Sequence, residues 1–251
     1  KINIIYKVIR KGIINYLPNL LIYYFIFVKS YFKKAFDNKY DLIVSCGRIS
    51  APYSLFLKNK NKCQNFHILD PYFFREKFDL IFLPSHDTLN TSNSNNIIRI
   101  IGTFVNRREP TREEILKFKF LSKKKIVSCF IGGDGRSSRF SKSNVLNLVE
   151  KTNKISSKFS VVYCFSRRTS KEAKNIIKLK KKKEHFLFDY DCINPYWYLI
   201  KKSQYFVVTE DSISMISDAM STGKPVYIQE IDYVKRKIKN FISMLKDKGF
   251  V

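Results

Sequence analysis

The segment Tyr205–Ile228, YFVVTEDSISMISDAMSTGKPVYI, decides the fold. Its opening residues, Tyr-Phe-Val-Val-Thr, are aromatic and β-branched, as a buried strand requires. Glu210-Asp211-Ser212-Ile213-Ser214 comes next, an acid- and hydroxyl-rich helix start in which Asp211 or Ser212 would be the cap. The helix, expected over Ser212–Ser221, stops at Thr222-Gly223 with Pro225 following, since glycine closes a helix and proline cannot continue it. Val226–Ile228 is then a second strand. Strand, helix and strand at this spacing make a βαβ crossover, and a crossover implies a parallel sheet.

The same rhythm runs outward in both directions. Short apolar runs occur at Leu42–Cys46, Phe66–Leu69, Leu80–Leu83 and Ile97–Ile101, and again at Ile126–Ile131, Val161–Phe165 and Phe186–Phe188. Amphipathic stretches at Val145–Lys151 and Ser170–Leu179 separate the later ones. The expected class is therefore α/β, as two Rossmann-like domains with parallel sheets: residues 1–120 and residues 121–251, joined through Gly102–Lys119 with its Arg-Arg-Glu-Pro-Thr turn. A length of 251 residues accommodates two such domains, and 45% hydrophobic residues suffice for two cores. Residues 11–36 read as aromatic-rich helix broken near Pro18.

Lys and Arg number 47 against 21 Asp and Glu, a formal net charge of +26. This points to polyanionic partners: anionic lipid, phosphorylated substrates or nucleic acid. Only 12 of the 47 are Arg, and no RNP, KH or helix-turn-helix pattern appears, so nucleic acid is not the expected partner. Cys46, Cys63, Cys129, Cys164 and Cys192 contain no CxxC, and the three histidines have no zinc spacing, so no structural metal is expected. The apolar run Leu20–Val28 is about half of the ~20 residues that span a bilayer, and no signal sequence precedes it. A cytoplasmic protein is expected, with Tyr16–Phe36 as either a peripheral anchor on the inner membrane or a buried core helix.

Ligands of open parallel sheets bind beyond the carboxyl ends of the strands. The residues there are Gly47-Arg48, Asp70, His86-Asp87, Gly132-Gly133, Ser166-Arg167-Arg168 and Glu210-Asp211-Ser212. Gly132-Gly133 with Gly135 makes either a tight turn or an anion loop whose N–H groups a phosphate can approach. Arg167-Arg168 makes either a diphosphate clamp or an ordinary basic loop.

The strings DLIVSCGRISAPYSL, FLPSHDTL, FIGGDGRSSRFS, CFSRRTS and INPYWYLIKKSQYFVVTEDSISMISDAMSTGKPVYI, in that order, resemble the mitochondrial fission (elongated-mitochondria) protein family. Its bacterial members are regarded as glycosyltransferases of the GT-B type, with two domains facing a cleft. The resemblance runs from about Asp41 to Ile231. Relative to the family pattern, the first strand and helix and the closing C-terminal stretch are missing, so the chain is expected to be truncated at both ends.

The resemblance implies a nucleoside-diphosphate sugar as substrate, with no cofactor and no metal, and a glycan or lipid-linked acceptor of the cell envelope. It implies that Asp218, five before Gly223, binds the donor ribose. Gly133, Arg167, Arg168, Ser212 and Ser214 would stabilise the departing diphosphate, Gly132, Ser166, Glu210 and Asp211 would also bind the donor, and Gly47 and Arg48 would lie elsewhere in the cleft. The general base that deprotonates the acceptor would be His86, Asp87 or Asp70. The other expectation is a non-enzymatic adaptor that keeps the fold, as the plant branch is thought to recruit a dynamin-like GTPase.

Overall fold

Each apolar run forms a strand in the computed structural model, which describes residues 3–6, 8–9, 16–32, 39–87, 95–105, 107–135, 138–155, 158–189 and 193–251. The chain divides into two units, residues 1–100 and 101–251. Gly102–Lys119, read from sequence as the joint, falls inside the second unit.

In the first unit β1 (Leu42–Cys46), β2 (Gln64–Ile68), β3 (Leu80–Pro84) and β4 (Ile97–Ile100) form a parallel sheet in that order. The crossover from β1 to β2 is α2 (Ala51–Asn61), with Pro52 in its first turn, where a missing N–H costs nothing. Ahead of them α1 (Asn19–Phe32) begins directly after Pro18. It buries Ile22 and Ile26 with Phe56 of α2, so the core-helix reading of this segment holds for that stripe. Leu20, Leu21, Tyr24, Phe27 and Val28 on the same helix remain exposed. Residues 33–36 of the aromatic segment lie outside the described residues, as does Cys192; the other four cysteines are free thiols. Among the described residues no helix is long and apolar enough to cross a membrane.

The second unit holds a parallel sheet of order β10-β9-β5-β7-β8, from β5 (Lys125–Ile131), β7 (Phe159–Phe165), β8 (Phe186–Phe188), β9 (Tyr205–Thr209) and β10 (Val226–Gln229). Strands β6 (Ser138–Arg139) and β11 (Tyr233–Val234) pair antiparallel beside it. Phe130, Val161, Val162, Tyr163, Phe206 and Val208 are buried, which explains why these strands read as unbroken apolar runs instead of alternating ones. Each such side chain contributes roughly 1.5–3 kcal/mol on burial. The helices α4 (Lys142–Lys154) and α5 (Lys171–Lys180) start at Ser141 and Ser170, whose hydroxyls accept the N–H of Asn144 and Ala173. The later helices are α6 (Tyr196–Lys202), α7 (Ile213–Met220) and α8 (Arg236–Asp247). Gly223, at φ +71°, ends α7 as its place in the sequence requires.

The topology fixes where a ligand can sit. From β5 the chain moves outward to β7 and β8, then returns to the opposite side of β5 to lay down β9 and β10. The connections leaving β5 and β9 therefore diverge, and the crevice between their carboxyl ends is the topological switch point of the sheet.

One local element, α3 (Arg112–Phe118), carries its own test. Thr111 and Glu114 form a capping box, and the buried Glu114 carboxylate also receives the Arg108 guanidinium at 2.8 and 2.5 Å. Glu114→Ala removes the cap partner and strands Arg108, so chemical denaturation should show a loss of about 2 kcal/mol. A change within 0.5 kcal/mol would mean that the box adds nothing to this unit.

Candidate functional site

At the switch point three loops are tied together. Gly132 and Gly133 follow β5; the Gly132 N–H donates to Thr209 Oγ1 at 2.8 Å, and the Gly133 N–H to Asp211 Oδ2 at 3.1 Å. After β7, Thr169 Oγ1 lies 2.6 Å from the Gly132 carbonyl oxygen, and the Arg168 N–H donates to Ser166 Oγ at 3.2 Å. The Arg168 guanidinium reaches Asp211 Oδ2 at 2.7 Å. Both glycines are dictated by this packing: a Cβ on Gly132 would enter the Asp211 carboxylate, and one on Gly133 would enter the backbone carbonyl of Arg168. The tight-turn reading of Gly132-Gly133 is thus the one the geometry supports. Their N–H groups, expected at the diphosphate, are already donated within the protein.

The expectation that Asp211 or Ser212 caps α7 holds for Ser212 in position but not in bonding. Ser212 occupies the N-cap position without a side-chain cap bond, and Asp211 is turned toward Gly133 and Arg168 instead. The start of α7 thereby keeps N–H donors that no side chain caps, together with the partial positive charge of a helix N-terminus. Around it Gly135, Arg168, Asp211, Ser212, Ile213, Ser214 and Ile238 line a notch of about 310 Å³. Ser214 and Arg167 are exposed, and the buried Asp211 has one oxygen, Oδ1, without a hydrogen-bond partner among the described residues.

Glu210 does not join this group. It is buried on the other side of the β9 end, accepting the Ile231 N–H at 2.9 Å, and burial pushes its carboxyl above the usual range. Asp218 lies farther along α7, half-buried, and accepts the Tyr196 hydroxyl at 2.5 Å on Oδ2. Burial raises the Asp218 carboxyl, and the Tyr196 bond works against that rise. No sequence pattern marks Tyr196, although NPYW, which leads into α6, stands among the family-like strings.

The first-unit residues divide in two. Asp70, proposed as a base, is buried with both oxygens taken by Arg75 at 2.9 Å and Oδ1 also accepting the Tyr72 N–H, so it is a loop anchor. Arg48 behaves similarly: its guanidinium donates to Asn19 Oδ1 at 3.1 Å, and its carbonyl oxygen and that of Pro71 accept from Asn19 Nδ2. It pins the start of α1 to the loop after β1, where the Gly47 N–H donates to the Ile68 carbonyl of β2 at 3.0 Å. His86 and Asp87 sit in the turn directly after β3, at the carboxyl end of the sheet, His86 buried and Asp87 half-buried.

The sequence profile described as Mitochondrial fission ELM1 matches residues 22–251. The chain belongs to this family. An uncharacterized protein of Rickettsia prowazekii, RP120, is 29% identical over 92% of the chain and 77% of its own length. Mitochondrial fission protein ELM1 of Arabidopsis thaliana is 25% identical over 84% of the chain, which spans 56% of that plant protein. Among solved structures, one assigned as a UDP-N-acetylglucosamine 2-epimerase of Listeria monocytogenes superposes with TM-score 0.56 at 13% identity, over 95% of this chain and 68% of that one. The likeness is one of fold: two Rossmann-like units with parallel sheets, as expected for the GT-B type. The ELM1-family match also covers α1 from residue 22 onward and all of α8, beyond the stretch from Asp41 to Ile231 that carries the motifs.

Proposed function

We propose that this ELM1-family chain is a glycosyltransferase that takes a sugar from a nucleoside diphosphate and passes it to a cell-envelope glycan or lipid-linked acceptor. The observation that carries the reading is the notch at the switch point, where the uncapped start of α7, the Arg168 guanidinium and the Ser212 and Ser214 hydroxyls converge. An oxocarbenium-like centre and a departing diphosphate develop together in such a transfer. Helix N–H groups and guanidinium donors held in advance stabilise the leaving charge without reorganising. Arg167, exposed and next to Arg168 in the chain, adds a second positive charge to the same loop. Asp218 accepts from the donor ribose. His86 or Asp87 takes the proton of the acceptor hydroxyl. The exposed aromatic stripe of α1 and the net charge of +26 suit peripheral contact with an anionic membrane.

Titration of wild type and Asp218→Ala with UDP, GDP, ADP and CMP tests this reading. One nucleotide should bind saturably, and the substitution should weaken it about tenfold, roughly 1.4 kcal/mol. Equal weak binding of all four, insensitive to the substitution and lost with salt, would instead support the adaptor. That second reading is favoured by one fact: the Gly132 and Gly133 N–H groups and one face of Arg168 are already used inside the protein.

A further inference from the structure

The bond between Tyr196 and Asp218 joins α6 to α7 across the carboxyl end of the sheet, and it is asymmetric. Asp218 Oδ2 receives the tyrosine hydroxyl at 2.5 Å, while Oδ1 has no hydrogen-bond partner among the described residues. The tyrosine is itself held from several directions. Its ring lies over Phe130, near the end of β5, with centroids 4.7 Å apart, and meets Trp197 edge-on at 5.4 Å. Its N–H donates to Asn194 Oδ1 at 3.0 Å. On the other side α7 is fixed beneath Asp218 by the buried Ile216 and Ala219 and by Ser217, whose hydroxyl receives the Thr103 N–H at 3.0 Å.

We propose that Tyr196 is the positioning residue of the nucleotide subsite: its hydroxyl fixes the Asp218 carboxylate in one rotamer so that Oδ1 faces outward as the acceptor for a ribose hydroxyl. This rests on the reading of Asp218 as the ribose ligand. An aspartate is one methylene shorter than a glutamate and has one torsion fewer with which to reach a ligand. Its orientation must be set by a neighbour, and a carboxylate free to rotate would lose affinity to rotamer entropy on each binding event. A tyrosine suits the task because its ring, clamped on Phe130, has few conformations left to lose. A tie between helices would have the same geometry but no consequence for a ligand, and that difference is measurable.

Tyr196→Phe keeps the ring on Phe130 and removes only the donor. The tightest binder among UDP, GDP and ADP is titrated into wild type, Tyr196→Phe, Asp218→Ala and the double variant, alongside inorganic pyrophosphate, which has no ribose. Tyr196→Phe should weaken the nucleotide about fivefold or more and leave pyrophosphate within twofold. Added to Asp218→Ala it should cost nothing further, since the two act as a unit. Full nucleotide affinity in Tyr196→Phe, with a ribose-dependent loss in Asp218→Ala, would overturn the positioning role and leave the ribose reading standing. Equal losses for nucleotide and pyrophosphate in Tyr196→Phe would overturn it as well, by making the bond a general prop of the unit. No ribose-dependent loss in Asp218→Ala, or no saturable binding by any nucleotide, would remove both.

Discussion

Gly133→Ala should destabilise the second unit by about 3 kcal/mol, at the upper end of what forced overpacking ordinarily costs. The added Cβ would meet backbone: the carbonyl of Arg168 and the Cα of Thr169. No rotamer change relieves such a contact, so the loop after β5 must move away from the loop after β7. In moving it gives up the Gly133 N–H bond to Asp211 and loosens Arg168, which spans the same carboxylate. Gly132→Ala is the informative comparison, because there the Cβ meets the Asp211 side chain, which can rotate. Denaturant unfolding should rank the two substitutions with Gly133→Ala as the more damaging, and nucleotide affinity should fall more than tenfold in both. Wild-type stability in Gly133→Ala would show that these loops are not packed as described.

Acid should weaken the first unit well before its carboxylates protonate. His67 on β2 is fully buried; its Nδ1 lies 2.7 Å from Ser45 Oγ, while Nε2 has no partner among the described residues. Burial lowers its pKa from 6.5 to about 4, with the nearby Asp70 charge acting in the opposite direction. The unfolded chain binds a proton through pH 6.5 and the folded one only near 4, so the unfolded state holds more protons between these values. Stability is therefore full above about pH 6.5 and falls with pH by at most about 1.4 kcal/mol per unit, some 3 kcal/mol in all. His185 in the second unit, also lowered to about 4 by burial, acts in the same direction. Urea midpoints measured from pH 7.5 to 4.5 should drop steadily, and less steeply in a His67→Gln variant that retains the fold. Midpoints flat across that range would contradict a neutral buried imidazole.

The strands were legible because a sheet buried on both faces leaves a plain mark: runs such as Ile126–Ile131 and Val161–Phe165 with no polar alternation. The amphipathic stretches Val145–Lys151 and Ser170–Leu179 marked α4 and α5, although α4 begins earlier, at Lys142. The short pair β6 and β11 was not, since two-residue strands have no period to detect. At the site, sequence identified the loops but not the assignment of their bonds. Asp211 looks like a helix cap along the chain, yet Gly133 and Arg168, 78 and 43 positions away, take its carboxylate. Asp70 looks like a free carboxylate until Arg75 folds back on it. Tyr196 and Asp218 are 22 positions apart on different helices, and no spacing rule links them. Bonds made through space between loops are what local patterns cannot carry.

Hydrogen exchange with and without the best-binding nucleotide tests the central claim most directly. If the switch point of the second sheet holds a nucleoside diphosphate, the ligand should slow exchange of the amides at the start of α7, residues 212–215, and in the 166–169 loop. The lysine-rich surfaces should be unchanged. Protection scattered over basic surface, or none at residues 212–215 at saturating nucleotide, would contradict it.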